Sequence, residues 1–198
     1  MQTQTTDKTS RAIFIVYGFL VFIGSISFLY LDYIDIQLYF DDAYTLQMIT
    51  WDVDEILTLT TRSDLNPPLY YLILKGYSAI AGNSVFVART FSFLAVLATM
   101  LLAVFPIRKR FGYSVSLSFL VLLVLFPITQ FLATEIRMYS WAMFFVLATA
   151  ICAYDVFERG RNSDWIRFVV LSICSAFIHY YALIAVSWMF VLLGFALL

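Results

Sequence analysis

The stretch YIDIQLYFDDAYTLQMITWDVDEILTLTTRSDLNPP, residues 33–68, is too polar for a membrane interior, yet it lies between segments that are not. Eight of the chain's thirteen acidic residues fall in it or one residue ahead of it: Asp32, Asp35, Asp41, Asp42, Asp52, Asp54, Glu55 and Asp64. Arg62 is the only basic residue among them. An acidic cluster of this kind serves as a cation site, as the source of a general base, or as a solvated loop. Within it, 42–61 predicts one or two short amphipathic helices, with Ala43, Leu46, Ile49 and Val53 on one face.

On the N-terminal side, residues 11–31 (RAIFIVYGFLVFIGSISFLYL) are long enough to cross roughly 30 Å of hydrocarbon at about 1.5 Å per residue. The polar residues 1–10 read as unstructured, and the run has no small-residue cleavage site, so it is a retained transmembrane helix and not a signal peptide. On the C-terminal side, Asn66-Pro67-Pro68 interrupts any helix, because the residue before a proline is pushed out of the helical region. Residues 69–81 (LYYLILKGYSAIA) are apolar but too short to span, with Lys75 in the middle. They predict an interfacial helix, with Tyr70, Tyr71 and Tyr77 suited to the headgroup level.

Composition agrees with a membrane protein. Apolar residues make up 63% of the chain and charged ones 13%, and mean hydropathy is +0.89, against about half apolar and about a quarter charged in soluble domains. A net charge of −1 gives no electrostatic basis for binding nucleic acid. Cys152 and Cys174 lie inside apolar runs and read as small hydrophobes, not as a disulfide or metal pair.

Four further apolar runs follow, at 86–107, 114–133, 138–154 and 165–198. The last is interrupted at His179-Tyr180-Tyr181 and is too long for one span, so it predicts a hairpin of two. The fold expected is an all-α polytopic transmembrane bundle of about six spans. Residues 33–85 form its first external loop, carrying short amphipathic and interfacial helices. The chain reads as a single module, 1–198, cut short at the C-terminus, since Leu198 falls inside an apolar run.

Orientation follows from Lys and Arg in short loops. Lys8 and Arg11, then Arg108, Lys109 and Arg110, then Arg159, Arg161 and Arg167 all reach the cytoplasmic side if 69–81 does not cross. Residues 33–85, 134–138 and 179–181 then emerge together on the outer face.

Several constellations on that face carry chemistry. Asp41-Asp42 can accept a proton or hold a divalent cation through hard oxygen ligands, or can simply be solvated loop acids. Asp52, Asp54 and Glu55 have the same chemistry but suit the polar face of a helix. Glu135-Ile136-Arg137-Met138-Tyr139 sits between two apolar runs, where a deep charge costs on the order of 2.5–3.5 kcal/mol. Glu135 and Tyr139, four apart, would share a helical face, and Arg137 could grip a phosphate through its planar fork; a water-exposed Glu135–Arg137 turn is the plainer reading. His179 is the only histidine and makes no metal site alone. Arg89, near the start of an apolar run, reads as a snorkelling anchor.

Taken in order, the first span, Asp41-Asp42, Asn66-Pro67-Pro68-Leu69-Tyr70-Tyr71, Ala88-Arg89, Glu135-Ile136-Arg137-Met138-Tyr139 and His179-Tyr180-Tyr181 resemble the N-terminal module of GT-C membrane glycosyltransferases. The nearest branch is similar to protein O-mannosyltransferases and the lipid A aminoarabinose transferase, and the likeness covers most of residues 11–185. The family's Asp-Glu pair falls on Asp41-Asp42, its His-Pro-Pro-Leu element on 66–69 with Asn66 in place of His, and its Gln-Glu-Ala-Arg-Met-Tyr element on 134–139 with Thr134 and Ile136 departing.

The resemblance implies transfer of a sugar from a polyprenyl-phosphate carrier to a hydroxyl on a lipid, glycan or protein. It places that reaction at the outer face of the cell (inner or plasma) membrane. It implies Asp41 and Asp42 as catalytic carboxylates and Arg137, Glu135, Tyr139, His179 and Arg89 around the donor phosphate. A divalent metal ion is the one cofactor it leaves open. The readings from other classes are a transporter or channel subunit, with Glu135, Arg137 and His179 lining a path, and a non-catalytic membrane scaffold. A transporter calls for charges in mid-span.

Overall fold

The computed structural model describes the backbone of residues 2–34, 37–64 and 66–198, and the side chains of all of these except 2–12 and 31–34. The charges of Lys8, Arg11, Asp32 and Asp35 lie outside the described side chains. Every described element is helical.

α1 (Gln2–Ile34) starts ahead of the expected Arg11. No Pro or Gly precedes Gly18, so nothing stops the helix from running back through the polar residues. The acidic stretch folds as α2 (Phe40–Met48) and α3 (Val53–Arg62), and α4 (Leu69–Ala81) begins directly after the two prolines. α5 (Val85–Leu102) continues through a π-helical turn, Ala103–Ile107, into α6 (Arg108–Leu125). The π turn contains Pro106, whose missing N–H and bulky ring an α-helical ladder does not accommodate. The helix runs on through the Arg108-Lys109-Arg110 triplet and is broken at Gly112, whose φ of 84° and ψ of 177° are open only to glycine. Residues 113–125 then pack back on the π turn. Ser116 Oγ donates to the Ala103 carbonyl at 2.6 Å, and Tyr17 OH on α1 donates to Ser116 Oγ at 2.8 Å.

The expected single run over 114–133 is two elements. Phe126 is extended ahead of Pro127, which opens α7 (Pro127–Thr134). α8 (Tyr139–Arg159), α9 (Asn162–Ile178) and α10 (Tyr180–Leu197) follow. His179 alone separates α9 from α10, as the interruption in the sequence suggests. Among the described residues, four helical segments are long and apolar enough to cross a membrane: Ile13–Tyr30, Val85–Leu125, Tyr139–Arg159 and Tyr180–Leu197. The second contains the reversal at Gly112. α4 is not among them, in keeping with its length.

Three apolar clusters hold the helices together. Tyr17, Phe28, Val96, Met100, Leu120 and Val124 join α1, α5 and α6. A Cβ at Gly24 would lie 2.9 Å from Val124 Cγ2 and 3.0 Å from Met100 Cε, so glycine sets how closely α1 approaches. Met48, Ile56, Tyr70, Tyr71, Phe91, Ile136 and Met138 form a second cluster beneath the acidic stretch. Cys152, Val156, Phe168 and Leu193 form the third, between α8, α9 and α10. Both cysteines are free thiols.

Two expectations about faces are corrected here. Tyr70 and Tyr71 are fully buried in the second cluster, so they do not sit at a lipid interface; Tyr77 is partly covered, its ring 5.2 Å from that of Phe91. On α2 the buried side carries Asp42, Thr45 and Met48 while Ala43 faces out. A hydrogen bond from a distant loop turns the helix so that a carboxylate, not the alanine, points inward.

The charges collect at the two ends of the long helices. At one end Asp155 and Asp164 are buried among arginines. Arg110 Nε donates to Asp155 at 2.6 Å, Arg159 reaches Asp155 at 2.7 Å and Asp164 at 3.2 Å, and Arg161 and Arg167 close on Asp164. Roughly 24 Å of α8, at about 1.5 Å per residue, separates this end from Tyr139 and the acidic end.

Candidate functional site

The second cluster is the floor of the site, and its walls come from α2, α5, the 135–138 loop and the α9–α10 junction. Glu135 is extended at the end of α7 (ψ 137°), and helix resumes only at Tyr139. Glu135 and Tyr139 therefore do not share a helical face as expected. The loop is held by groups far away in sequence. Asp42 Oδ1 accepts from the Ile136 N–H at 2.9 Å, and Ser92 on α5 donates its hydroxyl to the Glu135 carbonyl. Trp141 Nε1 donates to the Phe91 carbonyl at 3.2 Å and ties α8 to α5 just below.

Arg137 is buried in this loop, with 7% of its surface exposed, which rules out the water-exposed turn. Its Nη1 donates to Thr45 Oγ1 at 3.4 Å, its Nη2 lies 3.9 Å from Asp41 Oδ2, and its guanidinium sits 5.9 Å from the Tyr139 ring centroid. Its Nε has no hydrogen-bond partner. The contacts to Thr45 and Asp41 are long, and Nε is unspent.

The two adjacent aspartates have different surroundings. Asp42 is 1% exposed and anchors Ile136, with Oδ2 left without a partner. Burial raises its pKa, opposed by the bonds from backbone N–H groups and by Arg89 and Arg137. The side chain of Asp41 is 60% exposed at the mouth of the site. Of the pair, Asp41 is the carboxylate that an incoming group can reach.

Glu135 is partly covered, and its Oε2 has no partner. Burial, then the charge of Asp42, pushes its pKa up to about 7, although Arg137 pulls the other way. Neutral pH thus falls in its titration range.

Arg89 is buried, and its Nη2 donates to the Gln37 carbonyl at 2.5 Å. It is not a snorkelling anchor: it ties the segment after α1 to α5 and contributes positive potential near Asp42. His179 is also buried. Its Nδ1 accepts from the Tyr181 N–H at 3.1 Å, and its ring lies 5.5 Å from that of Tyr139. Burial and then Arg137 lower its pKa, which keeps it neutral.

Beyond Tyr139 and His179 the site opens into an apolar groove of about 790 Å³ between α6, α7, α8 and α10, lined by residues such as Leu122, Phe126, Met143 and Leu147. A buried cation beside carboxylates therefore packs near Tyr139, whose ring lines an apolar trough. Such an arrangement can hold an anionic headgroup with an apolar tail and can accept a proton beside it.

Asp52, Asp54 and Glu55 belong elsewhere. Asp52 and Glu55 form a capping box on α3, Glu55 accepting from the Asp52 N–H at 3.0 Å. Asn66 is occupied locally, its backbone and side-chain amides both donating to Asp64 Oδ1 at 3.1 Å. Thr45, Ser92 and the Ile136 N–H were not expected from the sequence. Only Thr45 had a local signal, as it lies one helical turn from both Asp41 and Asp42 on α2. Against known proteins, no family model, curated protein or solved structure matches this chain.

Proposed function

We propose that this chain is a membrane glycosyltransferase module that takes a sugar from a polyprenyl-phosphate carrier and passes it to a hydroxyl of a lipid, glycan or protein. The observation that carries the reading is Arg137, buried with its Nε unspent, 3.9 Å from the accessible Asp41 and 5.9 Å from the ring of Tyr139, which lines the apolar groove. An anionic lipid-phosphate fits this combination: fork to phosphate, trough to isoprenoid chain.

In the reaction proposed, the acceptor oxygen attacks the anomeric carbon, the bond from that carbon to the phosphate oxygen breaks, and Asp41 takes the hydroxyl proton. Arg137 offsets the charge that develops on the departing phosphate. Asp42 holds the Ile136 loop, and Tyr139 and neutral His179 flank the junction of headgroup and tail.

A divalent cation finds a poor donor set at Asp41-Asp42. One Asp42 oxygen is taken by Ile136, and among the described residues no three His, Cys, Asp or Glu side chains group as ligands. The cationic role is therefore assigned to Arg137.

We read the bundle as six-pass, counting the two arms about Gly112 and both helices of the α9–α10 hairpin, with the arginine-rich end cytoplasmic and the site facing outward. The charges at span ends, with none at mid-length in the described spans, favour a surface-facing site over a translocation path.

Arg137→Lys tests the donor assignment. It keeps the charge and loses the planar fork, so affinity for a polyprenyl-phosphate sugar in detergent should fall at least several-fold. Unchanged affinity would remove Arg137, and with it the reading, from the donor site.

A further inference from the structure

At the opposite end of the bundle, Arg108 differs from the other arginines whose side chains are described there. Arg110, Arg159, Arg161 and Arg167 are all committed to Asp155 or Asp164. Among the described residues neither Arg108 nor its neighbour Lys109 has a carboxylate partner, and the Nη1 of Arg108 is buried without an acceptor. The guanidinium lies 4.4 Å above the Phe14 ring and within 5.6 Å and 6.0 Å of the Tyr113 and Tyr17 ring centroids. Aromatic rings cover the faces of the cation, and its in-plane donors remain unspent.

Two cavities lie close to this residue. One, of about 580 Å³, is lined by Arg108, Lys109, Arg110 and Tyr113. The other, of about 430 Å³ and almost wholly apolar, runs along α1 past Tyr17, Val21 and Phe22. Phe105 lines both, and the Arg108 guanidinium bridges them through its contact with Phe14.

We propose that this end holds an anionic glycerophospholipid, its phosphate in the basic pocket on Arg108 and Lys109 and an acyl chain in the adjoining groove of α1. Charge complementarity argues for the occupant. Among the described residues this end carries six cations (Arg108, Lys109, Arg110, Arg159, Arg161 and Arg167) against three carboxylates (Asp155, Glu158 and Asp164), and Arg108 and Lys109 are the two cations with no carboxylate partner among them. A soluble anion would use the pocket and leave the apolar groove unfilled. A zwitterionic lipid would bring its own cation against Lys109. Basic pockets at the cytoplasmic ends of transmembrane helices recognise anionic headgroups in this way. The site is independent of the proposed sugar transfer, being at the other end of the spans.

The test uses the purified chain in detergent, with phosphatidylglycerol, phosphatidylcholine or inorganic phosphate added and retained lipid counted by native mass spectrometry. Phosphatidylglycerol should be retained at concentrations roughly tenfold below phosphatidylcholine, and the double variant Arg108→Gln, Lys109→Gln should abolish that preference. Arg62→Gln, an exposed cation on α3, should leave it intact. If the double variant does not fold, Arg108→Lys and Lys109→Gln made singly should each weaken the preference severalfold. Equal retention of the two lipids, or a preference that survives loss of both cations, overturns the proposal. So does inorganic phosphate displacing phosphatidylglycerol at equal concentration, which would make this a free-phosphate site.

Discussion

Replacing Glu135 with Gln should make the protein more stable above neutrality and change little in mild acid. Glu135 is partly covered, has an oxygen without a partner and faces Asp42, and its pKa is pushed up from an ordinary 4.5 to about 7. The folded state therefore holds this proton over a pH range in which the unfolded chain has released it. Stability supplied by the protonated carboxyl is fully present below about 4.5 and is lost as pH rises through about 7. At about 1.4 kcal/mol per pKa unit the ceiling is roughly 3.5 kcal/mol. The carboxyl is not fully enclosed, and solvent screening reduces this to about 1–2 kcal/mol. For a chain of this size that is a shift of about 2–8 °C in Tm. Thermal melts of wild type and Glu135→Gln in detergent, from pH 4.5 to 8.5, measure it: the variant should gain on wild type as pH rises from about 4.5 to about 7 and plateau above that. A difference that is flat with pH, or a variant that loses ground as pH rises, would refute the claim that burial and Asp42 oppose ionisation of Glu135.

Other outcomes follow from the same geometry. Asp42→Ala leaves the buried Ile136 N–H without an acceptor and should cost about 2–3 kcal/mol, whereas Asp42→Asn keeps an acceptor oxygen and should cost clearly less; equal melting temperatures for the two would show that the bond does not hold the loop. Cysteines placed at the exposed Ser63 and Ser84 should both react with a membrane-impermeant maleimide from the outer side, and one at Ser163 only from the cytoplasmic side. Labelling of Ser84→Cys from the cytoplasmic side alone would mean that α4 crosses and the proposed orientation is wrong.

The sequence is most legible where structure is local. Asn66-Pro67-Pro68 breaks the chain, 69–81 is too short to span, and His179 is the one point where the last apolar run turns. The reversal at Gly112 and the break at Phe126–Pro127 had local signals that the hydropathy of the surrounding runs outweighed. What was not legible depended on contacts across the fold. Apolar periodicity puts Ala43 inward on α2, but the Ile136 N–H, ninety-four residues from Asp42, needs an acceptor and turns the aspartate in instead. Tyr70 and Tyr71 look interfacial until Phe91 and Met138 are packed over them. Residue types flagged Asp41, Arg137 and His179 as chemically interesting, but only the fold separates the accessible carboxylate from its buried neighbour.

The central claim is that Asp41, exposed beside a buried and under-used Arg137, accepts the acceptor's proton. Asp41→Asn preserves shape and removes the base. In the full-length protein, with a polyprenyl-phosphate sugar and its hydroxyl acceptor, turnover should fall by about 10²–10⁴-fold, while expression, melting temperature and donor affinity stay near wild type. An Asp41→Asn protein that turns over at the wild-type rate would contradict the account.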